Sequence, residues 1–241
     1  MKEEILGVTI NKETEQQLLD KIQTDIEIGR KSRIVAINPE KVMMASKDPA
    51  LRTLLNESTY QIPDGVGIKI ASRMRGGEIR ERVTGIGMMD ALLQLAHKHG
   101  HRIFMYGAKK ATVELAAQNI QKKYPNLVVA GTLDGYEKDP AKIIETINAA
   151  QPQILFVALG SPKQELFIRE NMEQLNVNIF QGVGGSFDVY SGNVKRAPKL
   201  FLNTGTEWLY RLASQPTRIK RQMALPQFLI KAVRDKGGSR R

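Results

Sequence analysis

Ile62-Pro63-Asp64-Gly65-Val66-Gly67 is the stretch on which the reading of this chain turns. It follows a short β-like run, Thr59 to Ile62, and precedes a helical one, Ile68 to Met74. Pro63 lacks an N–H and holds Ile62 extended, so the strand stops there. Gly65 and Gly67 admit backbone angles and close approaches that a side chain would block. Asp64 therefore falls where a strand ends and a helix begins, the edge on which open α/β sheets bind ligands. Taken by itself, the local pattern favours a plainer role for Asp64, as the cap of the following helix.

Working outward toward the amino terminus, Ile5 to Ile10 reads as a first strand, with Asn11 as the cap of a helix running to about Gly29. Leu18, Leu19, Ile22 and Ile26 have helical spacing in it. Ile34 to Ile37 is a second strand that ends at Asn38-Pro39, before a helix holding Val42, Met43 and Met44; Pro49 to Asn56 is another helix. In the other direction, Arg73 to Gly87 is rich in Gly and Arg and reads as a loop, and Met88 to Lys98 as a helix ended by Gly100.

Beyond residue 103 the pattern is regular. Strands Ile103 to Tyr106, Leu127 to Gly131, Ile154 to Leu159 and Val177 to Gln181 alternate with helices Ala111 to Tyr124, Ala141 to Ala150 and Gln164 to Leu175. Alternation over short loops means βαβ units with right-handed crossovers. The predicted fold is α/β, a doubly wound, mostly parallel, Rossmann-like sheet over residues 1–194. A basic helical appendage over residues 195–241 follows, with helices at about Lys199 to Ser214 and Thr217 to Val233, punctuated by Pro216 and Pro226.

The 241 residues carry a net charge of +11, and its location is informative. Residues 1–194 hold 24 Lys and Arg against 23 Asp and Glu, whereas residues 195–241 hold 12 against only Glu207 and Asp235. Such asymmetry points to an anionic partner: phosphate, nucleic acid or a membrane surface. No nucleic-acid motif accompanies it. The absence of cysteine excludes disulfides, thiolate metal sites and a cysteine nucleophile. There is no signal-like amino terminus and no run near the ~20 apolar residues of a membrane span, so the expectation is a cytoplasmic protein. His97, His99 and His101 straddle a helix end with no carboxylate or Cys nearby, and read as an exposed helix terminus.

In a parallel sheet the loops that follow the strands share one edge, so their residues can be collected as a set. They are Asn38, Asp64, Gly107-Ala108, Gly160 to Glu165 and Gly182 to Asp188. Glycines where strands meet these loops suit a nucleotide or phosphate lying over backbone N–H groups and helix N-termini, although for any one loop they read more simply as strand ends. There is no Gly-x-Gly-x-x-Gly after the first strand and no P-loop. The similar Gly182-Val183-Gly184-Gly185-Ser186-Phe187 has no clear helix behind it. No Asp-x-Asp pair offers to hold a divalent ion against a diphosphate. A departing diphosphate would be neutralised by Arg, Lys and backbone N–H groups.

Four blocks in order and spacing carry a resemblance. They are Pro63-Asp64-Gly65 with Glu81-Arg82-Val83; Val157 to Glu165; Gly182 to Asp188 with Gly192 and Arg196-Ala197-Pro198; and Glu207-Trp208-Leu209-Tyr210-Arg211-Leu212 with Pro216, Arg218 and Arg221. Over residues 5–233 the chain resembles the WecG/TagA/CpsF glycosyltransferase family, most of all its wall teichoic acid members. The resemblance implies transfer of N-acetylmannosamine from UDP-N-acetylmannosamine to the 4-hydroxyl of GlcNAc on undecaprenyl diphosphate. It implies inversion at the anomeric carbon, no metal or other cofactor, and peripheral attachment to the inner face of the cell membrane. It places the general base on Asp64 and substrate contacts on Asn38, Arg82 and Gln164; the backbone cradle of Gly107, Gly160, Gly184 and Gly185 comes from the collected edge loops themselves. Arg211, Arg218 and Arg221 would hold the lipid diphosphate at an anionic membrane surface. Two positions depart from the family pattern: Ala36 where it has Thr, which leaves one sugar or phosphate hydrogen bond without its hydroxyl, and Thr206 where it has Leu.

The residues themselves suit such chemistry. An inverting transfer needs one carboxylate to take the acceptor proton, whereas a covalent retaining mechanism wants a second carboxylate close by. Asp64 is the candidate base, and Asp188, beside Phe187, is expected to be structural. Trp208, Tyr210, Leu225, Phe228 and Leu229 are placed either to meet the membrane interface and active site or to pack on the core. The donor stays open between UDP-N-acetylmannosamine, UDP-N-acetylmannosaminuronate and UDP-glucose. A non-catalytic nucleotide-binding module docking on membranes is the rival class, a nucleotide oxidoreductase the third, and homo-oligomerisation is left open.

Overall fold

The computed structural model of the chain describes residues 1–195 and 224–235. It opens with an antiparallel hairpin, β1 (Lys2–Ile5) and β2 (Val8–Asn11), followed by α1 (Glu15–Glu27). Next come β3 (Ser32–Ile37), α2 (Pro39–Ala45), α3 (Pro49–Asn56), β4 (Tyr60–Pro63), α4 (Val66–Met74) and α5 (Gly85–His99). Then follow β5 (Arg102–Gly107), α6 (Lys110–Lys123), β6 (Val128–Leu133), α7 (Pro140–Ala150), β7 (Ile154–Ala158), α8 (Lys163–Asn171), β8 (Ile179–Gly182) and α9 (Ser186–Tyr190). The last described element is α10 (Ala224–Arg234).

Strands β3 to β8 form one six-stranded sheet in the order β4-β3-β8-β7-β5-β6, with every pairing parallel. Its inner strands are largely apolar, as strands covered on both faces are; Ile154 to Ala158 are all buried. Successive side chains face opposite sides. Ile34, Met105, Phe156 and Ile179 meet α1, α5, α6 and α9 on one side. On the other, Val35 and Ile37 meet α2, α3 and α4, while Phe104, Leu155, Val157 and Phe180 meet α7 and α8. The doubly wound fold expected from the alternation is therefore present.

Several local expectations are corrected. Ile5 to Ile10 is not one strand, because Leu6 and Gly7 both take positive φ (51° and 81°) and turn the chain into the hairpin. Asn11 does not cap α1; Thr14 does, in a capping box with Gln17. α5 begins at Gly85, inside the expected loop, since the Thr84 hydroxyl accepts from Gly87 N. α8 stops at Asn171, short of Leu175. A short helix, α9, does follow the Gly182 loop. The expected helix Lys199 to Ser214 lies outside the described residues, as does the first part of Thr217 to Val233.

The hairpin shields the edge strand β4, which would otherwise present unpaired backbone groups. Asn11 Oδ1 accepts from the backbone N of Gln61 at 2.7 Å. Asn11 is itself held by Glu13, which accepts from its amide at 3.1 Å, from Lys21 at 2.5 Å and from the amino terminus at 2.9 Å. Burial by itself would raise the Glu13 carboxyl; the bonds from Lys21, the terminal ammonium, Asn11 and its own backbone N–H outweigh it and hold it at about 2.

Helix α10 lies on α2 and α4. Leu225, Phe228, Leu229 and Ala232 recur at helical spacing and form its inner face, with Phe228 and Ala232 fully buried in the cluster of Val42, Ile68 and Ala71. Phe228 thus packs on the core. Its carboxyl end is held by Arg75, which donates to Ala232 O at 2.7 Å and to Asp235 O, and pairs with the Asp235 carboxylate. The closest approach is at Gly67, where an added Cβ would stand 2.4 Å from Leu225 Cδ1 and 2.7 Å from Pro39 Cγ.

Two outcomes follow. Gly67→Ala gains up to about 1 kcal/mol of helix propensity but overpacks a fixed proline, for a net loss of about 1 kcal/mol. It should therefore lower the urea midpoint and speed tryptic cleavage at Lys231; an unchanged midpoint and cleavage rate would disprove this contact. A carboxylate held below its unfolded pKa contributes stability that is full above about pH 4.3 and is lost as the pH falls toward 2. Lys21 and the terminus are exposed, so the wild type should lose only about 1 kcal/mol more than Glu13→Gln between about pH 5 and 2.5. Parallel pH curves for the two proteins would show that Glu13 carries no such term.

Candidate active site

The site is built on the carboxyl edge of the sheet. β5 leads outward to β6 whereas its neighbour β7 leads the opposite way to β8, so the connections diverge between them. Such a divergence opens the crevice in which α/β sheets take ligands. Gly107-Ala108 and Gly160 to Gln164 flank it. Gly107 (φ 120°) is needed because a Cβ there would stand 2.4 Å from Ala158 O, and Ala108 also takes a positive φ of 59°. The next helix, α6, begins at Lys109 and Lys110, both exposed, and no side chain caps it. Gly160 and Gly185 are exposed, and Gly184 is half-buried.

At the far end of the edge, Asp64 extends the β3–β4 ladder by one bond, its N–H donating to Ile37 O at 2.8 Å. Val83 N donates to Pro63 O at 3.0 Å, which lays the Arg82–Val83 segment alongside. Asp64 is not the cap of α4: that position is Gly65 (φ 89°), with no side-chain cap bond. Its carboxylate instead lies against the first turn of α5. A Cβ built on Gly85 would stand 3.8 Å from Asp64 Oδ2 and 3.3 Å from Ala36 Cβ. The amino end of a helix favours negative charge, so the setting suits a carboxylate. Gln181 Nε2 donates to Gly85 O at 2.8 Å and ties this turn to β8. Asp64 and Arg82 are both half-buried.

Asn38 caps α2, Oδ1 accepting from Lys41 N at 2.9 Å, so its side-chain NH2 is the end available for a ligand. Gln164 is only 3% exposed. Its Oε1 accepts from Gly184 N at 3.0 Å and its Nε2 donates to Glu165 Oε1 at 3.1 Å. A Cβ on Gly182 would stand 2.5 Å from its Nε2, so Gln164 fills the space above β8 and braces the next loop.

The structure thus gathers Asp64, Arg82 and Asn38 around the adjacent ends of β3 and β4, and Gln164 and Gly184 one strand over at β8; Gly107 and Gly160 lie at the divergence. Arg211, Arg218 and Arg221 lie outside the described residues, as do Trp208, Tyr210 and Arg196. Sequence reasoning missed Lys41, Glu165, Gly85 and Gln181. Only Glu165 carried a signal, as part of the collected loop. Among the described residues no three His, Asp or Glu side chains form a cluster able to hold a metal ion. His101 Nε2 is hydrogen-bonded to Gln23 at 2.9 Å and its ring stacks on His99.

Comparison with known proteins gives the family of the chain. Residues 3–241 match the family described as Glycosyl transferase WecG/TagA/CpsF family. The chain is 38% identical over 217 residues to the N-acetylglucosaminyldiphosphoundecaprenol N-acetyl-beta-D-mannosaminyltransferase of Bacillus subtilis strain 168, covering 90% of this chain and 84% of the relative. It is 34% identical over 216 residues to the protein of the same name from Bacillus spizizenii strain W23, with the same coverage of 90% and 84%. With a family match across nearly its whole length, the chain belongs to the WecG/TagA/CpsF family of glycosyltransferases.

Proposed function

We propose that the protein transfers N-acetylmannosamine from UDP-N-acetylmannosamine to the 4-hydroxyl of GlcNAc on undecaprenyl diphosphate, with inversion and without a metal. The observation that carries the reading is the placement of Asp64. It is a half-buried carboxylate at a strand end, set against a helix amino terminus and not used as a helix cap. The activity for which the two relatives are named supports the sugar and the acceptor.

In this reading Asp64 takes the proton of the acceptor hydroxyl as its oxygen attacks the anomeric carbon, and the bond from that carbon to the UDP oxygen breaks on the opposite face. Only one carboxylate is required, because no covalent sugar is formed. The sequence has no Asp-x-Asp pair, so the charge on the leaving UDP is met by the loop amides at Gly107, Gly160 and Gly185 and by Arg82, while the Gly184 N–H is given to Gln164 and braces the loop. Three strand spacings separate β4 from β7, about 14 Å, a span that a sugar nucleotide can bridge from the β5–β7 crevice to Asp64.

Residues 195–241, with 12 basic side chains against two acidic, serve the anionic lipid acceptor in this reading. The exposed Ile230, Lys231 and Arg234 of α10 extend the same character. Among the described residues no helix is long and apolar enough to cross a membrane.

The test is UDP release from UDP-N-acetylmannosamine with a lipid-diphosphate GlcNAc acceptor in EDTA. Wild type should turn over, with Asp64→Asn slower by about 10²–10⁴-fold and folded. Near-normal turnover by Asp64→Asn removes it as the base, and loss of wild-type activity in EDTA that returns with a divalent ion removes the metal-free step. Wild type that binds UDP but releases it from no UDP-sugar would be a binding module. Arg218→Ala should raise the acceptor KM about tenfold, the cost of one charge-assisted bond, with the donor KM unchanged. An unchanged acceptor KM would separate Arg218 from the lipid diphosphate.

A further inference from the structure

Beneath the candidate site lies a charge pair that the proposed chemistry does not use. Lys41 of α2 and Glu165 of α8, 124 residues apart in sequence, meet at 2.7 Å with side chains only 9% and 5% exposed. Lys41 Nζ also donates to Ala36 O at 3.0 Å, near the end of β3, and its backbone N–H is the one that Asn38 accepts. Glu165 Oε1 also accepts from Gln164 Nε2, whose other end accepts from Gly184 N. One connected path therefore joins the loops after β3, β7 and β8.

Joining α2 to α8 does not by itself call for charge. Removing two charges from water costs about as much as their attraction returns, and an apolar pair of similar volume is often as stable or more so. Here Glu165 Oε2 is moreover buried with no hydrogen-bond partner among the described residues. What the carboxylate supplies that an apolar side chain cannot is direction. A side-chain amide can turn end for end, but Glu165 can only accept and Gly184 N–H can only donate, so together they fix Gln164 with nitrogen inward and oxygen toward the loop.

We propose that Glu165, held by Lys41, is the positioning residue of this site: it orients Gln164, and through Gln164 it sets the Gly184–Gly185 loop relative to Asn38 and Asp64. The proposal rests on reading this edge as the donor-binding surface, and it assigns Glu165 no contact with substrate.

The full-length chain tests it through three readouts: urea midpoint, kcat against donor KM for UDP release, and the amide resonance of Gly184 in ¹⁵N-labelled protein. The charge-free variant Lys41→Met/Glu165→Leu should keep about the wild-type midpoint. Its kcat should fall by about ten- to a hundredfold, more than KM changes, because a misplaced loop costs rate before it costs binding. The Gly184 amide should move upfield as it loses its acceptor. Glu165→Gln, which keeps the volume, is the second variant, and it should add no further loss of kcat in a Gln164→Met background if it acts through Gln164. A charge-free variant with wild-type kcat and an unmoved Gly184 resonance overturns the proposal, as does full additivity of Glu165→Gln with Gln164→Met. The resonance does not depend on which sugar is transferred. A moved Gly184 signal in protein that cannot use UDP-N-acetylmannosamine therefore upholds the positioning role and rejects the donor.

Discussion

The parallel ladder between β3 and β4 is the constraint from which the site follows. Parallel strands end on the same edge, so Ile37 opposite Pro63 brings Asn38 and Asp64 side by side. The bond from Asp64 N to Ile37 O carries the register one residue past the strand. Because side chains alternate between faces, a slip of one residue would turn Asp64 away from α5 and toward α4. The apolar alternation of Ile34, Val35 and Ile37 resists that slip, since it would expose buried side chains on both layers. Packing of the core thus fixes the direction of the carboxylate that the proposed chemistry uses.

The same logic explains why polar groups lie beneath the edge. Loops rich in glycine have little side-chain packing of their own, and left to themselves would sample many conformations. In this protein their backbone groups are tied down from below: Gly184 N by Gln164, Gly85 O by Gln181, Ala36 O by Lys41. Each tie is partly buried, where competing water is reduced and an unmade bond is costly. A surface of this kind keeps its N–H groups in place before a ligand arrives, so less conformational freedom is lost on binding.

The fold was legible where local pattern and global structure agree. Runs such as Ile154 to Ala158 can only be covered strands, and their alternation with amphipathic helices determines the parallel sheet. Reading failed where one residue served a distant partner. Asn11 looked like a cap but bonds to Gln61, fifty residues on, while the local capping-box signal of Thr14 and Gln17 went unread. Leu6 at positive φ broke a run that otherwise alternates like a single strand. Asp64 has the composition of a cap, yet Gly65 took that place because the ladder carries Asp64 on as strand. Lys41 gave no sign of a role, and Glu165 showed only as part of the collected loop, until the fold brought them together.

α10 does not stand apart from the core: Leu225 rests against Gly67, two residues past the N-cap of α4, and Pro39, the first residue of α2, closes the same gap. These are the two helices that follow Asp64 and Asn38. Any force that draws α10 toward or away from the sheet therefore acts on the supports of both site residues through contacts that have no slack, since close-packed interiors transmit displacement instead of absorbing it. If the acceptor is carried by lipid, as proposed, the segment nearest the basic tail is also the one that braces the loops holding Asn38 and Asp64. The proposed lipid docking and the geometry of the candidate site would then be parts of one mechanical unit.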